Sequence, residues 1–318
     1  MKLPRLSDIE IPPLHPVLPP WPGRREEFDG AGLYVRETPA PHGGEPALYV
    51  HGLGGSATNW TDLAALLARR LDGQAIDLPG FGLSDPPPRG GYRQPALAAR
   101  VARWIEYSGR GPVHLFGNSL GGAIAVRVAA MRPELVRTLT LVSPAMPQLR
   151  TNRERVKKAV PLMLVPNIER IATRRMSLLT PEQMAMNVLS MCYADLSRIP
   201  PARLAEAVVE AERRMALPWA AEAYVRSFRG LVTSYLAPGE RSLWSLATRV
   251  QAPTLVVWGK ADKLVPVRHA TRTVRMIPDA RLLVLDDVGH TAHMEAPEQI
   301  GRAVYGMLDE FDEQARTG

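Results

Sequence analysis

Apolar residues fall along this chain in two rhythms, and the switches between them mark out its elements. Leu33-Tyr-Val-Arg-Glu-Thr alternates, the period-two pattern of a half-buried strand. Ala47-Leu-Tyr-Val-His is a short apolar run suited to a buried strand, preceded by a turn at Gly43-Gly44. Trp60, Leu63, Leu66, Leu67 and Leu71 then share one face at helical spacing, and Gly73 is expected to end that helix in a left-handed cap. Gln74-Ala-Ile-Asp reads as a strand, 96–107 as a helix, Val113-His-Leu-Phe-Gly as a strand, 120–131 as a helix and Thr138-Leu-Thr-Leu-Val as a strand. From about Met146 to Thr248 only helical patterns occur, punctuated by Pro161, Pro166, Pro181, Pro200, Pro201, Pro218 and Pro238. The alternation then resumes: Pro253-Thr-Leu-Val-Val-Trp-Gly as a strand, 267–276 as a helix, and Leu282-Leu-Val-Leu as a strand. A closing helix carries Val304, Met307, Leu308 and Phe311 on one face.

Strands alternating with helices predict βαβ units and a mainly parallel central sheet flanked by helices. The economical arrangement is one α/β core, residues 28–145 and 249–318, interrupted by an all-helical cap over 146–248. Residues 1–27 are proline-rich and predict an extended arm. They hold no continuous apolar stretch of the kind a secretory signal needs.

The candidate chemistry sits where strands end. Gly117-Asn118-Ser119-Leu120-Gly121-Gly122 follows a strand and opens a helix, so Ser119 falls on a sharp turn with its hydroxyl projecting from the sheet. Serine is a poor nucleophile unless a base stands beside it. His290, just past the last strand, is the candidate general base, because ligand chemistry in open α/β sheets gathers at the carboxyl ends of strands. His293 is its nearest rival. His15 and His42 lie in irregular segments, His114 within a strand, and His269 early in a helix.

An imidazole used as a base needs an acid on its other nitrogen. Asp262 follows the strand ending at Gly259, one helix and one strand before His290, and a parallel crossover returns both loops to the same edge. Asp286 and Asp287 are closer in sequence but sit at a strand end. Donors for an oxyanion are expected from the backbone N–H groups of Leu120 and of Leu53, the latter in the glycine-rich His51-Gly52-Leu53-Gly54-Gly55-Ser56. His51, Gly52, Asn118 and His293 are expected to support the loops around the pocket. A metal set of His290, His293 and Glu295 lacks the helical H-E-x-x-H spacing, so neither metal nor cofactor is expected.

Composition narrows the partners. The net charge is +7, yet the basic residues are scattered and clusters such as that from Arg150 to Arg155 are interrupted by Glu154. A solvated surface rather than a nucleic-acid footprint is expected. No stretch is long and apolar enough to span a membrane. The single cysteine, Cys192, lies among apolar residues and reads as a buried structural thiol, and a lone thiol fits a reducing, cytoplasmic compartment. The partner expected is a small-molecule substrate. Oligomeric state is not written in the chain.

Taken together, the sequence resembles the cap-bearing branch of the α/β-hydrolase fold superfamily over about residues 28–312. The resemblance rests on His51-Gly52-Leu53-Gly54-Gly55, Asp77-Leu-Pro-Gly-Phe-Gly-Leu-Ser-Asp85, Gly117-Asn-Ser-Leu-Gly-Gly122, Gly259-Lys-Ala-Asp262 and Gly289-His-Thr-Ala-His-Met-Glu-Ala-Pro297. It implies a cap inserted after the sixth core strand. Epoxide hydrolases and haloalkane dehalogenases of this fold carry an aspartate at the nucleophile position, so Ser119 favours acyl chemistry. The expectation is an esterase acting through an acyl-enzyme on a small to medium apolar substrate. The Gly-Asn-Ser-x-Gly-Gly form is also similar to carbon–carbon bond hydrolases of ring-cleavage products, and some proteins of the fold only bind ligands. Met184, Met186, Met191 and Met215 are expected to give the cap an adaptable apolar pocket.

Overall fold

The computed structural model describes residues 2–14, 17–88, 91–147 and 168–317. His15, the basic cluster beginning at Arg150, and Pro161 and Pro166 of the expected cap lie outside the described residues.

Eight strands form one sheet: β1 (Gly23–Phe28), β2 (Ala31–Thr38), β3 (Glu45–Val50), β4 (Leu71–Ile76), β5 (Val113–Asn118), β6 (Val136–Val142), β7 (Thr254–Gly259) and β8 (Ala280–Leu285). Their order is β1-β2-β4-β3-β5-β6-β7-β8. β1, β2 and β4 pair antiparallel, and every pairing from β4 to β8 is parallel. Core helices are α1 (Thr61–Leu67), α2 (Gln94–Tyr107) and α3 (Leu120–Met131). Four more follow or precede the last strands: α8 (Leu243–Ala247), α9 (Ala270–Met276), α10 (Ala292–Glu295) and α11 (Pro297–Thr317). Between β6 and β7 the described chain is wholly helical, with α4 (Ile168–Met176), α5 (Pro181–Cys192), α6 (Pro201–Ala216) and α7 (Ala220–Ser234). This is the large helical insertion expected after the sixth strand.

The period-two rule explains how the sheet holds helices on both faces. Leu48, Val50, Leu115, Val256 and Trp258 point to one side, into a core completed by α2, α3, α8 and α9. Tyr49, Phe116, Leu255 and Val257 point to the other, against Trp60, Leu63, Ile300, Val304 and Leu308. All six residues of β5 and of β7 are buried, as central parallel strands require. Each such Leu or Val contributes about 1.5–3 kcal/mol by leaving water.

Two local expectations are corrected. Leu71 and Gly73 do not belong to the first helix, which ends at Leu67; they lie in β4. Gly73 there pairs with Ala47 on one side and Thr38 on the other, so sheet pairing overrides the helical spacing. Residues 23–28 form β1, an edge strand that the charge-rich Gly-Arg-Arg-Glu-Glu-Phe does not announce. The start of the arm lies along the opposite edge: Lys2 bridges Arg281 of β8, and the Ser7 N–H donates to the Arg302 carbonyl on α11.

Candidate active site

The chain runs β3, then outward to β4, then back across to β5, so β3 and β5 are neighbours whose outgoing loops diverge. Open α/β sheets leave a crevice at such a switch point. The glycine-rich turn after β3 and Ser119 after β5 both open into it.

Ser119 bridges β5 and α3 in a left-handed conformation, φ 53° and ψ −114°. Such strain persists only where neighbours over-determine it. Here the Ser119 N–H donates to the Val142 carbonyl at 3.0 Å, and its carbonyl accepts from Ala145 and Ala123 at 2.9 and 3.0 Å. The turn is so tight that a methyl on Gly121 would stand 2.2 Å from the Val50 carbonyl oxygen. The Leu120 N–H begins α3 directly behind the serine. Leu53 lies on the cavity wall, in a turn whose next residue, Gly54, has φ 74°. This turn lies alongside Ser119: a methyl on Gly52 would sit 3.1 Å from Ser119 Cβ.

His51 lies beneath that turn, fully buried. Its Nδ1–H donates to the Gly52 carbonyl at 2.7 Å and its Nε2 accepts from the Leu78 N–H at 2.8 Å, which fixes a neutral tautomer. Burial pulls its pKa down to about 4. Asp77, from the second motif segment, accepts from the Ala57 and Leu83 N–H groups at 2.6 and 2.8 Å and so braces the same loop; burial pushes its pKa up to about 6. Asn118 Nδ2 donates to the Val142 and His290 carbonyls at 3.1 and 3.3 Å, tying the Ser119 turn to the His290 loop.

Asp262 and His290 meet as their topology predicts. His290 Nδ1 donates to Asp262 Oδ2 at 2.8 Å, and both side chains are buried. The other carboxylate oxygen accepts from the Leu264 and Val265 N–H groups, each at 2.8 Å, so the carboxylate has no freedom to rotate away. With Nδ1 engaged as donor, Nε2 is left as the basic nitrogen. Ser119 and His290 line the same cavity. No hydrogen bond joins them among the described residues, a contact that commonly tightens only on substrate binding. Asp286 is exposed and paired with Lys260, away from this site.

His293 is buried but does not reach the cavity. Its ring stacks on Trp60 with centroids 4.2 Å apart, neither ring nitrogen has a partner among the described residues, and burial pulls its pKa down to about 3. Among the described residues no cluster of His, Cys, Asp and Glu could hold a metal.

The cavity has a volume of about 400 Å³ and lies between the sheet-end loops and α5, α6 and α7. α5 presents Met184, Ala185, Val188, Leu189 and Cys192, the face that helical spacing selects. The expectation for the other methionines is corrected: Met186 and Met191 point outward at 38 % and 45 % exposure, and Met215 is not on the wall. Cys192 lines the cavity rather than the core, and burial pushes its thiol up to about 12, so it is no thiolate nucleophile.

Two residues escaped the sequence reading. Arg214 of α6 enters the cavity and donates to the Gly54 carbonyl; no carboxylate pairs with it among the described residues, whereas adjacent Arg213 pairs with Glu210 at 2.6 Å. Glu295, read only as a remote metal ligand, is wholly buried beside the His290 loop and accepts from the Gly289 N–H at 2.7 Å. Glu295 lies in the Gly289–Pro297 segment, which does not show that its carboxylate turns back to Gly289 and to the cap; Arg214 lies in no motif, and Glu210 four residues before it makes it read as a paired surface cation.

Comparison with known proteins places this geometry. A family model described as the alpha/beta hydrolase fold matches residues 46–297. The chain is 29 % identical over 267 residues to the dihydrolipoyllysine-residue acetyltransferase component of the acetoin cleaving system of Pseudomonas putida, covering 84 % of this chain but only 64 % of that protein. It is 29 % identical over 276 residues to the 2-hydroxy-6-oxononadienedioate/2-hydroxy-6-oxononatrienedioate hydrolase of Cupriavidus pinatubonensis, covering 84 % and 87 % of the two chains. The crystal structure of a membrane phospholipase A, a bacterial virulence factor, superposes with a TM-score of 0.73 at 26 % identity, over 92 % and 87 % of the chains. The sheet order, the helical insertion after β6 and the span of the match together show that this chain belongs to the α/β-hydrolase fold family and is an enzyme of the serine-hydrolase type within it.

Proposed function

We propose that the protein cleaves a carbon–carbon bond beside a carbonyl in a small, conjugated, carboxylate-bearing substrate, through an acyl-enzyme on Ser119. The observation that carries this reading is Arg214. A guanidinium in a largely apolar cavity, with Glu210 on the same wall but no carboxylate in ion-pair contact among the described residues, is an expensive feature that an anionic ligand relieves. Burial already presses its pKa below the ordinary arginine value, the mark of a cation short of solvation. The similarity to a hydrolase whose name gives a dienedioate points the same way.

In this mechanism His290 Nε2 takes the Ser119 proton as Oγ attacks the carbonyl carbon. Asp262 steadies the imidazolium through Nδ1. The oxyanion is held by the Leu53 and Leu120 N–H groups. Collapse expels a carbon leaving group, which departs only if its electron pair is delocalised. An oxo group conjugated with the scissile bond, in the keto tautomer of the substrate, takes up that pair as an enolate; Arg214 anchors the adjacent carboxylate, and His290 returns the proton to carbon. Water, activated by His290, then frees the acyl group.

A second reading is hydrolysis of a carboxylic ester, in which the leaving group is an alcohol. It is favoured by the apolar wall of Val188, Leu189, Phe228, Leu231 and Val232, and the same groups act in the same order. A substrate panel decides: p-nitrophenyl esters of graded chain length beside a 2-hydroxy-6-oxo-dienoate. Loss of the dienoate chromophore with a kcat/KM well above that of every ester is expected. Rapid ester turnover with the dienoate untouched overturns the carbon–carbon reading.

A further inference from the structure

The crossing between α5 and α6 is fastened to the loops that carry His290 and Asp262. His290 itself donates its N–H to the Cys192 carbonyl at 2.6 Å, and Thr291 donates to the same oxygen at 3.4 Å. Lys263, next to Asp262, donates to the carbonyls of Ser190 and Tyr193 at 3.0 and 3.1 Å. Arg198 donates to the Asp287 carbonyl at 2.8 Å.

Glu295 sits at the centre of these contacts. Its side chain is 0 % exposed. One carboxylate oxygen accepts from the Gly289 N–H at 2.7 Å and from the cap's Ala194 N–H at 3.2 Å. The other accepts from the Asp195 N–H at 3.4 Å and faces the Arg198 guanidinium at 3.8 Å. A buried carboxylate is tolerated only where its oxygens are satisfied. Here the satisfaction is shared between the residue before His290 and two residues of the cap. Neither segment can move alone without stranding the charge.

We infer that Glu295 is a positioning residue that couples the cap to the His290 loop, so that seating of the 190–198 crossing sets where His290 stands over Ser119. The inference rests on the reading of Ser119 and His290 as nucleophile and base. It makes this edge of the cap the fixed side of the cavity: lifting it would move His290 away from Ser119.

The test uses the full chain and a fluorophosphonate probe, whose capture by serine needs the base but neither the ester nor the carbon–carbon reading. In E295Q, labelling per folded molecule is expected to slow by about 10–100-fold, the cost typical of a displacement near 1 Å. Amide hydrogen exchange is expected to quicken in 190–198 and 289–291 together. R198M, altered on the cap side alone, is expected to show the same paired exchange and a smaller loss of labelling. Unchanged labelling in E295Q, or quickened exchange confined to 289–295, overturns the coupling. If E295Q fails to fold, R198M decides by the same two readouts. A wild-type chain that is not labelled at all defeats the nucleophile reading instead, which keeps the two failures apart.

Discussion

The sheet-end loops and the cap build the same cavity by opposite means. In the loops the bracing carboxylates are held by several short bonds: Asp262 by the Leu264 and Val265 N–H groups and the His290 ring, and Asp77 by the Ala57 and Leu83 N–H groups. The cap contributes single side chains selected by helical phase, such as Met184, Leu189 and Arg214. Its outer face leaves Leu178, Met191 and Val209 exposed at 76, 45 and 51 %. The lesson is a division of labour. Loops locked to backbone carry geometry, which the reaction demands, and helices with one free face carry shape and charge, which the substrate demands.

The loop half of that division breaks most visibly at Ser119. Ser119→Ala is expected to cost about 10⁴–10⁶-fold in turnover of any substrate while leaving the melting temperature unchanged, since the removed oxygen supports no described bond. Residual activity near wild type would move the nucleophile elsewhere. Asp262→Asn comes next, at about 10³–10⁴-fold, because an amide turned toward Nδ1 holds the wrong imidazole tautomer. A loss of only a few-fold would leave His290 oriented by backbone alone.

The cap half is tested by Arg214→Met. A carboxylate substrate should lose about 30–150-fold in kcat/KM, matching roughly 2–3 kcal/mol for a hydrogen bond to a charged group. A neutral ester should change little. An equal loss on both would mean that Arg214 acts through its bond to the Gly54 carbonyl, on the turn beside Leu53, and not on the substrate.

The same division decides what could be read from the chain. The β5–turn–α3 unit was legible, and the helix begins and ends where expected, because Gly117 to Gly122 and the flanking apolar runs are local. Asp262 and His290 followed from topology, since parallel crossovers bring successive loops to one edge. Glu295 was opaque: its partners Ala194 and Asp195 lie about a hundred residues away and bond through backbone, which leaves no residue signature. Arg214 was opaque for another reason. It adjoins Arg213 on an arginine-rich helix, and only the phase of α6 keeps Arg213 off the cavity wall, paired with Glu210, while it puts Arg214 on that wall. β1 was missed because an edge strand of charged residues has no apolar rhythm.

The smallest expected effect separates the halves by acid. The cap holds no histidine, whereas the core buries His51 and His293. Their folded pKa values, about 4 and about 3, lie below the ordinary 6.5. The unfolded chain therefore binds protons first as pH falls. The stability these histidines contribute is complete above pH 6.5 and is lost progressively toward pH 4, with a limiting slope of roughly 1.4 kcal/mol per pH unit for each. Asp77 opposes them: its pKa is raised to about 6, so its contribution is complete below pH 3.8 and is lost as pH rises through 6. His114 and His269, which burial also holds below the ordinary value, act in the same direction, so the histidines outweigh the one carboxylate and the melting temperature is expected to fall between pH 6.5 and 4. His293→Phe keeps the stacking on Trp60 and removes one titrating ring, so it should flatten that fall by about one proton's worth without touching the cavity. An unaltered pH dependence in H293F would place the acid sensitivity outside this stacked pair.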